Sequence, residues 1–248
     1  MAKALITGAS SGIGANIAKV LSEKGYDVVL VARRTQRLED LAKTLNTKSE
    51  VVTCDLSDMA ELENLVKNYP DIDILVNNAG LGVYGEFTKS DFDKESGMID
   101  VNIRALHYLM KKYIPLMEGR GGKILNIASS AAFFSGPFLA SYYASKAYVL
   151  RLGNAVREEL RRKKIPITIT AFCPGPVETE FGDVSGSNLG KKALSAEKAA
   201  AMAVSGMLKG KKTVVPTFTM KATRILSKFI PESISVRMLY NIQKAKRR

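Results

Sequence analysis

Residues 3–14 read KALITGASSGIG, and the order of residue types in this stretch decides the fold. The apolar run over 3–7 predicts a buried strand, and apolar positions then recur at helical spacing, predicting a helix over 15–24. A strand, a glycine-rich turn and a helix place backbone N–H groups and a helix dipole where they can receive a pyrophosphate. Gly8 permits the tight turn, Gly12 a close approach to phosphate, and Gly14 close packing of helix on strand. The stretch therefore predicts a dinucleotide-binding unit, with the spacing G-x-x-x-G-x-G.

Outward from this stretch, strand patterns alternate with helix patterns along the chain. Such alternation predicts an α/β fold with a Rossmann-type, doubly wound parallel sheet of about seven strands, right-handed crossovers and helices on both faces. The chain is expected to form one domain, 1–248, in which 182–194 is a lid and 217–248 a basic helical extension broken at Pro231. Further strands are predicted at 27–32, 50–53, 72–76, 122–128, 165–172 and 211–216, and the main helices at 35–45, 96–117, 140–163 and 195–209.

The composition is that of a globular protein of 248 residues with a formal net charge of +13. No apolar run is long enough to span a bilayer, and Met1 leads directly into a strand without a signal peptide, so we expect a cytoplasmic protein. Cys54 and Cys173 are expected to be buried, reduced thiols. The lone His107 cannot found a metal site or a Ser-His-Asp triad, so no metal is predicted.

The basic residues are concentrated toward the carboxyl end. After residue 217 the chain carries eight Lys or Arg residues and one acidic residue, so just over half of the net +13 lies there. This segment lacks the interleaved stacking aromatics of a single-strand binder, so we expect no nucleic acid partner. We interpret it as a solvated helical tail whose apolar stripe belongs to the core or an interface. Contact with a membrane surface is the second, less favoured interpretation.

The second predicted strand ends in Ala32-Arg33-Arg34. Sites that prefer NAD place an acidic residue here to bind the ribose 2′-hydroxyl, whereas guanidinium groups bind a 2′-phosphate through paired, charge-assisted hydrogen bonds. The sequence therefore predicts NADP(H) as the coenzyme. Arg33 is the first candidate for the 2′-phosphate and Arg34 the second. Ser10 and Ser11 are expected to help.

Two further strands end in residues suited to a ligand crevice. The fourth predicted strand runs into NNAG, residues 77–80. At the carboxyl end of a strand, asparagine and glycine fit a turn that satisfies its own backbone hydrogen bonds. They also fit the crevice where open α/β sheets bind ligands. Asn77 is interpreted as structural, and residues 78–80 are expected near the coenzyme. The fifth strand ends in Ser129-Ser130, where a hydroxyl is well placed to contact a ligand.

The stretch 141–146 reads SYYASK inside a helical run. Residues four apart on a helix lie on the same face, so Tyr142 and Lys146 meet, whereas Tyr143 points elsewhere. A neighbouring ammonium favours the phenolate and lowers the pKa of the tyrosine from about 10, which would make it a general acid and base. In the preceding long helix, Asn102 suggests a side-chain or water contact.

These motifs, in this order, resemble those of the short-chain dehydrogenase/reductase family. The similarity spans roughly residues 3–179. Ser129 lies thirteen residues before Tyr142, the usual distance in that family, and is therefore chosen over Ser130. The motifs that carry the resemblance are Thr7-Gly8-x-x-x-Gly12-x-Gly14, Asn77-Asn78-Ala79-Gly80, Ser129, Tyr142-x-x-x-Lys146 and Pro174-Gly175.

The resemblance implies a transfer of hydride between nicotinamide C4 and an alcohol or carbonyl carbon. Tyr142 would exchange a proton with the substrate oxygen, and Lys146 would lower the pKa of Tyr142 and bind the nicotinamide ribose. Ser129 would polarise the carbonyl, and Asn102 would anchor a water that relays protons. The implied coenzyme-binding residues are Gly8, Ser10, Ser11, Gly12, Ile13, Gly14, Arg33, Arg34, Asp55, Leu56, Asn78, Ala79, Gly80, Tyr142, Lys146, Pro174, Gly175, Val177 and Thr179, of which Asp55 would contact the adenine and Val177 and Thr179 the carboxamide.

The length of the tail and the Ala-Arg-Arg sequence look like the branch of the family with hydroxysteroid dehydrogenases and ketone reductases. This likeness favours a hydrophobic secondary alcohol or ketone, such as a hydroxysteroid or bile acid, and a homodimer or homotetramer. Reduction of 3-oxoacyl thioesters on an acyl carrier protein is the alternative reaction. A non-catalytic nucleotide-sensing protein and a peripheral membrane-binding protein are alternatives of other classes.

Overall fold

The computed structural model describes residues 2–186 and 193–245. Within them, one seven-stranded parallel sheet has the strand order β3-β2-β1-β4-β5-β6-β7. The predicted doubly wound α/β fold is therefore confirmed. The strands are β1 (Lys3–Thr7), β2 (Asp27–Ala32), β3 (Ser49–Thr53), β4 (Ile74–Asn77), β5 (Gly122–Ile127), β6 (Ile167–Phe172) and β7 (Thr213–Val214).

Helices connect the strands and cover both faces of the sheet. Helix α1 starts at Gly12, earlier than predicted, because the glycine turn itself forms its first residues. The α-helices are α1 (Gly12–Glu23), α2 (Thr35–Ala42), α3 (Met59–Asn68), α4 (Phe92–Ile99), α5 (Leu106–Met117), α6 (Ala140–Arg162), α7 (Phe181–Ser185), α8 (Ala196–Leu208), α9 (Phe218–Leu226) and α10 (Glu232–Lys244).

The central strands are buried on both faces, as their continuous apolar sequences require. Leu5 on β1 pairs with Leu75 on β4, and both side chains belong to the core on one face of the sheet. The next pair, Ile6 and Val76, belongs to the core on the other face. The alternation places one hydrophobic core on each side and holds β1 and β4 at the centre of the sheet.

The chain reverses its winding direction between β1 and β4, so the loops after these two strands diverge and leave a crevice. The Thr7 hydroxyl bridges the two loops, because it donates to the carbonyl of Val76 at 3.2 Å. It also accepts from the backbone N–H groups of Asn78 at 3.0 Å and Ala79 at 3.1 Å. One buried side chain therefore fixes the floor of the crevice.

The predicted helix over 96–117 is divided in the structure. A π-helical segment, Asp100–Ala105, separates α4 from α5. Such segments insert an extra residue per turn and often occur at functional sites. Here the segment carries Asn102, whose buried side chain bonds to a neighbouring loop. The predicted helical stretch is confirmed, and the π-helical segment within it is a feature that the local pattern does not predict.

The tail forms two helices, α9 and α10, separated at Pro231, as predicted. The prediction that its apolar stripe belongs to the core is not confirmed, because Met220 of α9 packs against the core but is only half-buried, and the one buried residue of α10 is the polar Gln243; an interface stays a prediction. Helix α9 has no buried residue, and large apolar side chains of both helices are exposed. The exposed ones are Phe218, Ile225, Leu226, Phe229, Ile234, Met238 and Ile242.

The predicted lid, 182–194, is only partly described. Its first residues belong to the short helix α7, and Leu194 forms an isolated parallel bridge with Val177. The part of the prediction that concerns 187–192 lies outside the described residues. Among the helices of the described chain, none combines the length and the apolarity that crossing a bilayer requires. Cys54 and Cys173 are buried free thiols, as predicted.

The Thr7 bridge gives a stability prediction. Thr7→Val keeps the shape but leaves the Ala79 N–H without its partner and removes one hydrogen bond each from the Asn78 N–H and the Val76 carbonyl, so we expect a loss of about 1–3 kcal/mol in the free energy of unfolding. Thr7→Ser retains the hydroxyl and should lose less. Thr53→Val, which removes an exposed hydroxyl that bonds only Thr35, is the control. Urea unfolding measures all three, and equal losses for the Val and Ser variants at position 7 would contradict the assignment.

Candidate active site

A cleft of about 480 Å³ opens at the carboxyl ends of the strands, above β1 and β4. All the implied coenzyme-binding residues except Gly14 line it, so the structure brings together residues from six separate stretches of sequence. The candidate residues on its wall are Gly8, Ser10, Ser11, Gly12, Ile13, Arg33, Arg34, Asp55, Leu56, Asn78, Ala79, Gly80, Ser129, Tyr142, Lys146, Pro174, Gly175, Val177 and Thr179.

The glycine turn after β1 owes its conformation to the absence of side chains. Gly8 and Gly12 have φ of +65° and +55°, which L-residues with side chains rarely adopt. A Cβ on Gly8 would lie 2.8 Å from the Cα of Ala79, and one on Gly12 would lie 2.8 Å from the Thr179 methyl. A Cβ on Gly14 would collide with the Gly8 carbonyl. Gly14 was predicted to allow close packing of helix on strand. In the structure it also packs closely on the glycine turn itself.

Asn78 holds this turn in place. Its side-chain amide donates to the carbonyls of Thr7 at 2.9 Å and Gly8 at 3.1 Å. Asn77, by contrast, is buried and donates to the Asn126 side chain at 2.9 Å, which confirms its predicted structural role. Asn78 therefore lines the cleft and also supports the loop that forms its opposite wall.

A cluster of hydroxyl and guanidinium groups lies at one end of the cleft. Arg34 donates to the Ser10 hydroxyl at 3.0 Å, to the Ser11 hydroxyl at 2.9 Å and to the Glu180 carboxylate at 2.8 Å. Arg37 also pairs with Glu180, and the two guanidinium groups, Arg37 first, lower the pKa of that carboxyl to about 2. The arrangement joins the glycine turn, the start of α2 and the loop after β6.

Arg33 has a different environment from Arg34. It is largely exposed, and its Nη1 lies 3.8 Å from the carboxylate of Asp55. Although burial opposes the shift, hydrogen bonds from Ser57 and the charge of Arg33 lower the pKa of Asp55. Of the two arginines, Arg34 is therefore the one that the fold places against Ser10 and Ser11.

Tyr142 and Ser129 come together from α6 and from the end of β5. Burial raises the pKa of Tyr142 to about 12, and a hydrogen bond with the Ser129 side chain acts in the opposite direction. The Ser129 hydroxyl also accepts from the backbone N–H of Ala131 at 3.1 Å, which fixes its position at the start of a 3₁₀ turn, Ser130–Phe133. A buried phenol next to an oriented hydroxyl can hold and deliver a proton.

Lys146 lies on the same face of α6 as Tyr142, as predicted, with Nζ 5.9 Å from the centroid of the tyrosine ring. Its ammonium donates to the Ile127 carbonyl at 3.0 Å, and burial lowers the pKa of Lys146 to about 8. Burial penalises the charged form of both groups, and the amine donates to a carbonyl rather than to the phenol, so the lowering of the Tyr142 pKa by Lys146 stays a prediction.

Asn102 does not line the cleft but stands directly behind it. Its side chain donates to the Leu81 carbonyl at 2.9 Å and to the Ser145 hydroxyl at 3.0 Å, and it accepts from the Leu81 N–H at 2.8 Å. A Cβ on Gly80 would lie 3.0 Å from Nζ of Lys146 and 3.3 Å from the Asn102 carbonyl oxygen. Asn102 therefore supports the backbone over Lys146, and its role in a proton relay stays a prediction.

A family model described as short chain dehydrogenase matches residues 2–189. The chain belongs to the short-chain dehydrogenase family. An uncharacterized oxidoreductase of Staphylococcus epidermidis is 34% identical over 194 residues, which cover 76% of this chain and 83% of that protein. A 3-oxoacyl-[acyl-carrier-protein] reductase of Rickettsia felis is 33% identical over 183 residues, which cover 72% of this chain and 74% of that protein.

Solved structures agree with this assignment. A short-chain dehydrogenase from Sphingobium yanoikuyae in complex with NADPH has a TM-score of 0.82 and 28% identity, covering 94% of this chain and 97% of that one. The sequence-based family resemblance is confirmed. As a short-chain dehydrogenase, the protein is an oxidoreductase whose cleft is suited to a nicotinamide coenzyme.

Several cleft residues of this short-chain dehydrogenase escaped the sequence analysis. Tyr143 was predicted to point elsewhere but lines the cleft, with its ring centroid 6.2 Å from that of Tyr142. Phe181 contacts Tyr142, with ring centroids 5.1 Å apart. Glu180 and Gln243 also line the cleft. No local pattern marks Gln243, because only the return of α10 across the fold brings it there.

The pKa of Lys146 predicts a change of stability with pH. The buried amine loses its proton near pH 8 in the folded chain and near pH 10.4 in the unfolded chain. Between these values the unfolded chain binds more protons, so the free energy of unfolding should rise with pH by up to about 1.4 kcal/mol per unit. Lys146→Met removes this contribution. Chemical unfolding at pH 7 to 10 should show that the free energy of unfolding of wild type rises relative to that of the variant above pH 8. A difference between the two that does not change with pH would contradict the lowered pKa of Lys146.

Proposed function

We propose that this short-chain dehydrogenase is an NADP(H)-dependent oxidoreductase that interconverts a hydrophobic ketone and the corresponding secondary alcohol. One observation carries the proposal: the hydroxyl groups of Tyr142 and Ser129 meet beside buried Lys146 in a cleft with a glycine turn at one wall. This is the set of groups that a carbonyl oxygen needs when it gains a proton. The fold places them at the carboxyl ends of the strands, where α/β sheets bind ligands.

The residues present fit a nicotinamide coenzyme. Side chains at Gly8 and Gly12 would fill the cradle that the turn leaves against Ala79 and Thr179, so close approach of a pyrophosphate explains why they are glycines. Asp55 would contact the adenine, and Lys146 the ribose. The coenzyme, when bound, supplies or accepts the hydride.

The preference for NADP(H) is supported by the charges at the end of the cleft. No carboxylate follows β2; Arg34 lies there instead, with the Ser10 and Ser11 hydroxyls within hydrogen-bond distance. Asp55 is already paired with Arg33, and Glu180 with Arg34 and Arg37. Guanidinium and hydroxyl donors are the groups that bind a dianionic phosphate, so a 2′-phosphate has partners here.

The proton chemistry follows from burial. With a pKa of about 12, Tyr142 holds its proton at neutral pH and can give it to a carbonyl oxygen in reduction. The Ser129 hydroxyl orients that oxygen and stabilises charge that develops on it. In oxidation the same phenol must lose a proton, and a positive charge on Lys146 close to the phenol would favour that loss. With a pKa of about 8, Lys146 carries most of its positive charge at neutral pH.

The substrate side of the cleft is mostly apolar. Leu81, Leu139 and Phe181 line it beside the rings of Tyr142 and Tyr143. Apolar walls around a few polar groups suit a hydrophobic ketone or secondary alcohol, and a hydroxysteroid or bile acid is the leading candidate. A 3-oxoacyl thioester carried by an acidic carrier protein is the second candidate, supported by the Rickettsia felis relative and by the net charge of +13.

Tyr142→Phe tests the proposed proton donor. The variant loses the hydroxyl but keeps the ring, so turnover should fall by about 10² to 10⁴-fold while NADPH binding stays close to wild type. Ketone-dependent oxidation of NADPH at 340 nm and quenching of NADPH fluorescence measure the two quantities. A panel of steroid and bile-acid ketones, simple ketones and acyl-carrier-protein thioesters separates the two substrate candidates. Turnover like that of wild type in Tyr142→Phe would rule out this mechanism.

Arg34→Ala tests the coenzyme assignment. Loss of a charge-assisted partner of the 2′-phosphate should lower kcat/KM for NADPH by about 10- to 100-fold and change the value for NADH much less. Arg33→Ala is the matched variant, and a smaller effect is expected because Arg33 pairs with Asp55 at the surface. A wild-type enzyme that is more efficient with NADH would contradict the preference for NADP(H).

A further inference from the structure

Gln243 is a polar residue that the carboxyl-terminal helix brings into the substrate side of the cleft. It is 3% exposed and is the one buried residue in the described parts of α9 and α10. Its side-chain N–H donates to the Tyr143 hydroxyl at 2.6 Å, and its backbone carbonyl accepts from the Tyr84 hydroxyl at 2.6 Å. These two bonds fix both ends of the residue over the cleft.

The remaining polar atom of the Gln243 side chain, the carbonyl oxygen Oε1, is buried and makes no hydrogen bond to a described residue. A buried acceptor without a donor costs about 1–3 kcal/mol, and few buried polar groups in folded proteins lack a partner. The Nε2 donor already bonds to the Tyr143 hydroxyl, so the unpaired acceptor is the part of the amide that the described chain does not use.

The surroundings of Gln243 hold it firmly. A Cβ on Gly136 would lie 2.5 Å from the Tyr143 ring, so the glycine makes room for the tyrosine that positions the amide. On the same helix Tyr240 packs against Phe138, with ring centroids 5.1 Å apart. The acceptor is thus held in a fixed position in the wall that also carries Tyr142 and Tyr143.

We propose that Gln243 is a substrate-binding residue whose Oε1 accepts a hydrogen bond from a hydroxyl or N–H group remote from the reacting carbonyl. The inference rests on the proposed function and narrows its substrate class to hydrophobic ketones that carry such a donor. A site built around a buried acceptor rejects the analogue that lacks the donor, because the acceptor then stays unpaired. An ether oxygen at the same place is an acceptor itself and is rejected for the same reason.

Two series of matched ketones test this assignment: androstan-3-one with its 17β-hydroxy and 17β-methoxy derivatives, and cyclohexanone with its 4-hydroxy and 4-methoxy derivatives. In the series that fits the cleft, wild type should favour the hydroxy ketone over the methoxy ketone by about tenfold in kcat/KM, chiefly through KM. Gln243→Met should bring this ratio close to one. Asn241→Leu, an exposed amide on the same helix, should leave the ratio unchanged.

A structural role for Gln243 would produce a different result. If the amide only anchors α10 through Tyr143, Gln243→Met should weaken binding of all three ketones equally, and the ratio should stay as in wild type. Affinities of the same ketones for the Tyr142→Phe protein with NADPH, measured by calorimetry, give the ratio without turnover. Ketone turnover without a preference for the hydroxy compound overturns this inference alone, whereas no turnover of any ketone or thioester overturns the proposed function.

A second inference rests on the opposite side of the tail. The outer surface of α9 and α10 is defined here by the exposed residues Phe218, Ile225, Leu226, Phe229, Ile234, Met238 and Ile242, with Phe218 and Phe229 exposed to 85% and 78%. Ile234, Met238 and Ile242 recur every four residues, so they form one stripe along α10. The inner face of the same helix carries Gln243.

The outer surface is basic as well as apolar. Lys221, Lys228, Arg237 and Lys244 are also exposed in this segment, and the single acidic residue after position 217, Glu232, bonds to the Ser135 hydroxyl. Exposed apolar side chains among Lys and Arg are typical of helices that lie in a membrane interface. A second copy of the chain would present the same positive charge, whereas an anionic lipid surface presents the opposite one.

We infer that the outer surface of α9 and α10 docks on a membrane that contains anionic lipids. Full-length protein should sediment with phosphatidylcholine vesicles that contain 30% phosphatidylglycerol, less at high salt, and weakly with phosphatidylcholine alone. Phe218→Ser with Phe229→Ser should reduce binding about tenfold or more, and Phe92→Ser, equally exposed at a distant helix, should not. Absence of binding to the anionic vesicles, or a wild-type dimer that the double variant dissociates, would overturn this inference.

Discussion

The active site depends on a clamp between the ends of the two central strands. Thr7 Oγ1, at the end of β1, bonds to backbone groups of β4 and the loop after it, and the Asn78 side-chain amide donates to the carbonyls of Thr7 and Gly8. These bonds hold the glycine turn on one side of the crevice and the NNAG loop on the other. Gly80, at the end of that loop, then lies against Nζ of Lys146. A single set of buried hydrogen bonds therefore aligns the coenzyme wall with the catalytic helix.

Burial decides the proton chemistry of this site more than the spacing of charges does. Tyr142 and Lys146 share one helix face, yet desolvation raises the pKa of the phenol and lowers that of the amine. Burial therefore favours the neutral form of both groups, whereas the Ile127 carbonyl accepts from the amine and the Ser129 side chain opposes the rise in the pKa of the phenol. In a low-dielectric site of this kind the phenol keeps its proton, and the electrostatic interaction with any charge placed beside it is stronger than in water.

The carboxyl-terminal helices carry both of the roles proposed here beyond the oxidoreductase activity. The inner face of α10 closes the substrate side of the cleft through Gln243, while its outer face presents Ile234, Met238 and Ile242 to solvent. A hydrophobic substrate dissolved in a membrane would then meet the cleft from the side on which the tail docks. The two faces of one amphipathic helix would in this way link the location of the protein to the choice of substrate.

The sequence alone determined the sheet, the glycine turn and the family, and all but one of the residues that it proposed for coenzyme binding line the cleft, because these features depend on local signals: apolar strands, turn glycines and an i, i+4 pair. The bounds of β1 and β2 and the break at Pro231 followed for the same reason. Only the tertiary structure decided that the helix around Asn102 is interrupted, that Arg34 rather than Arg33 joins Ser10 and Ser11, and that Tyr143 and Gln243 line the cleft. Those outcomes depend on contacts between residues tens to more than a hundred positions apart and on burial, which no short window of sequence contains.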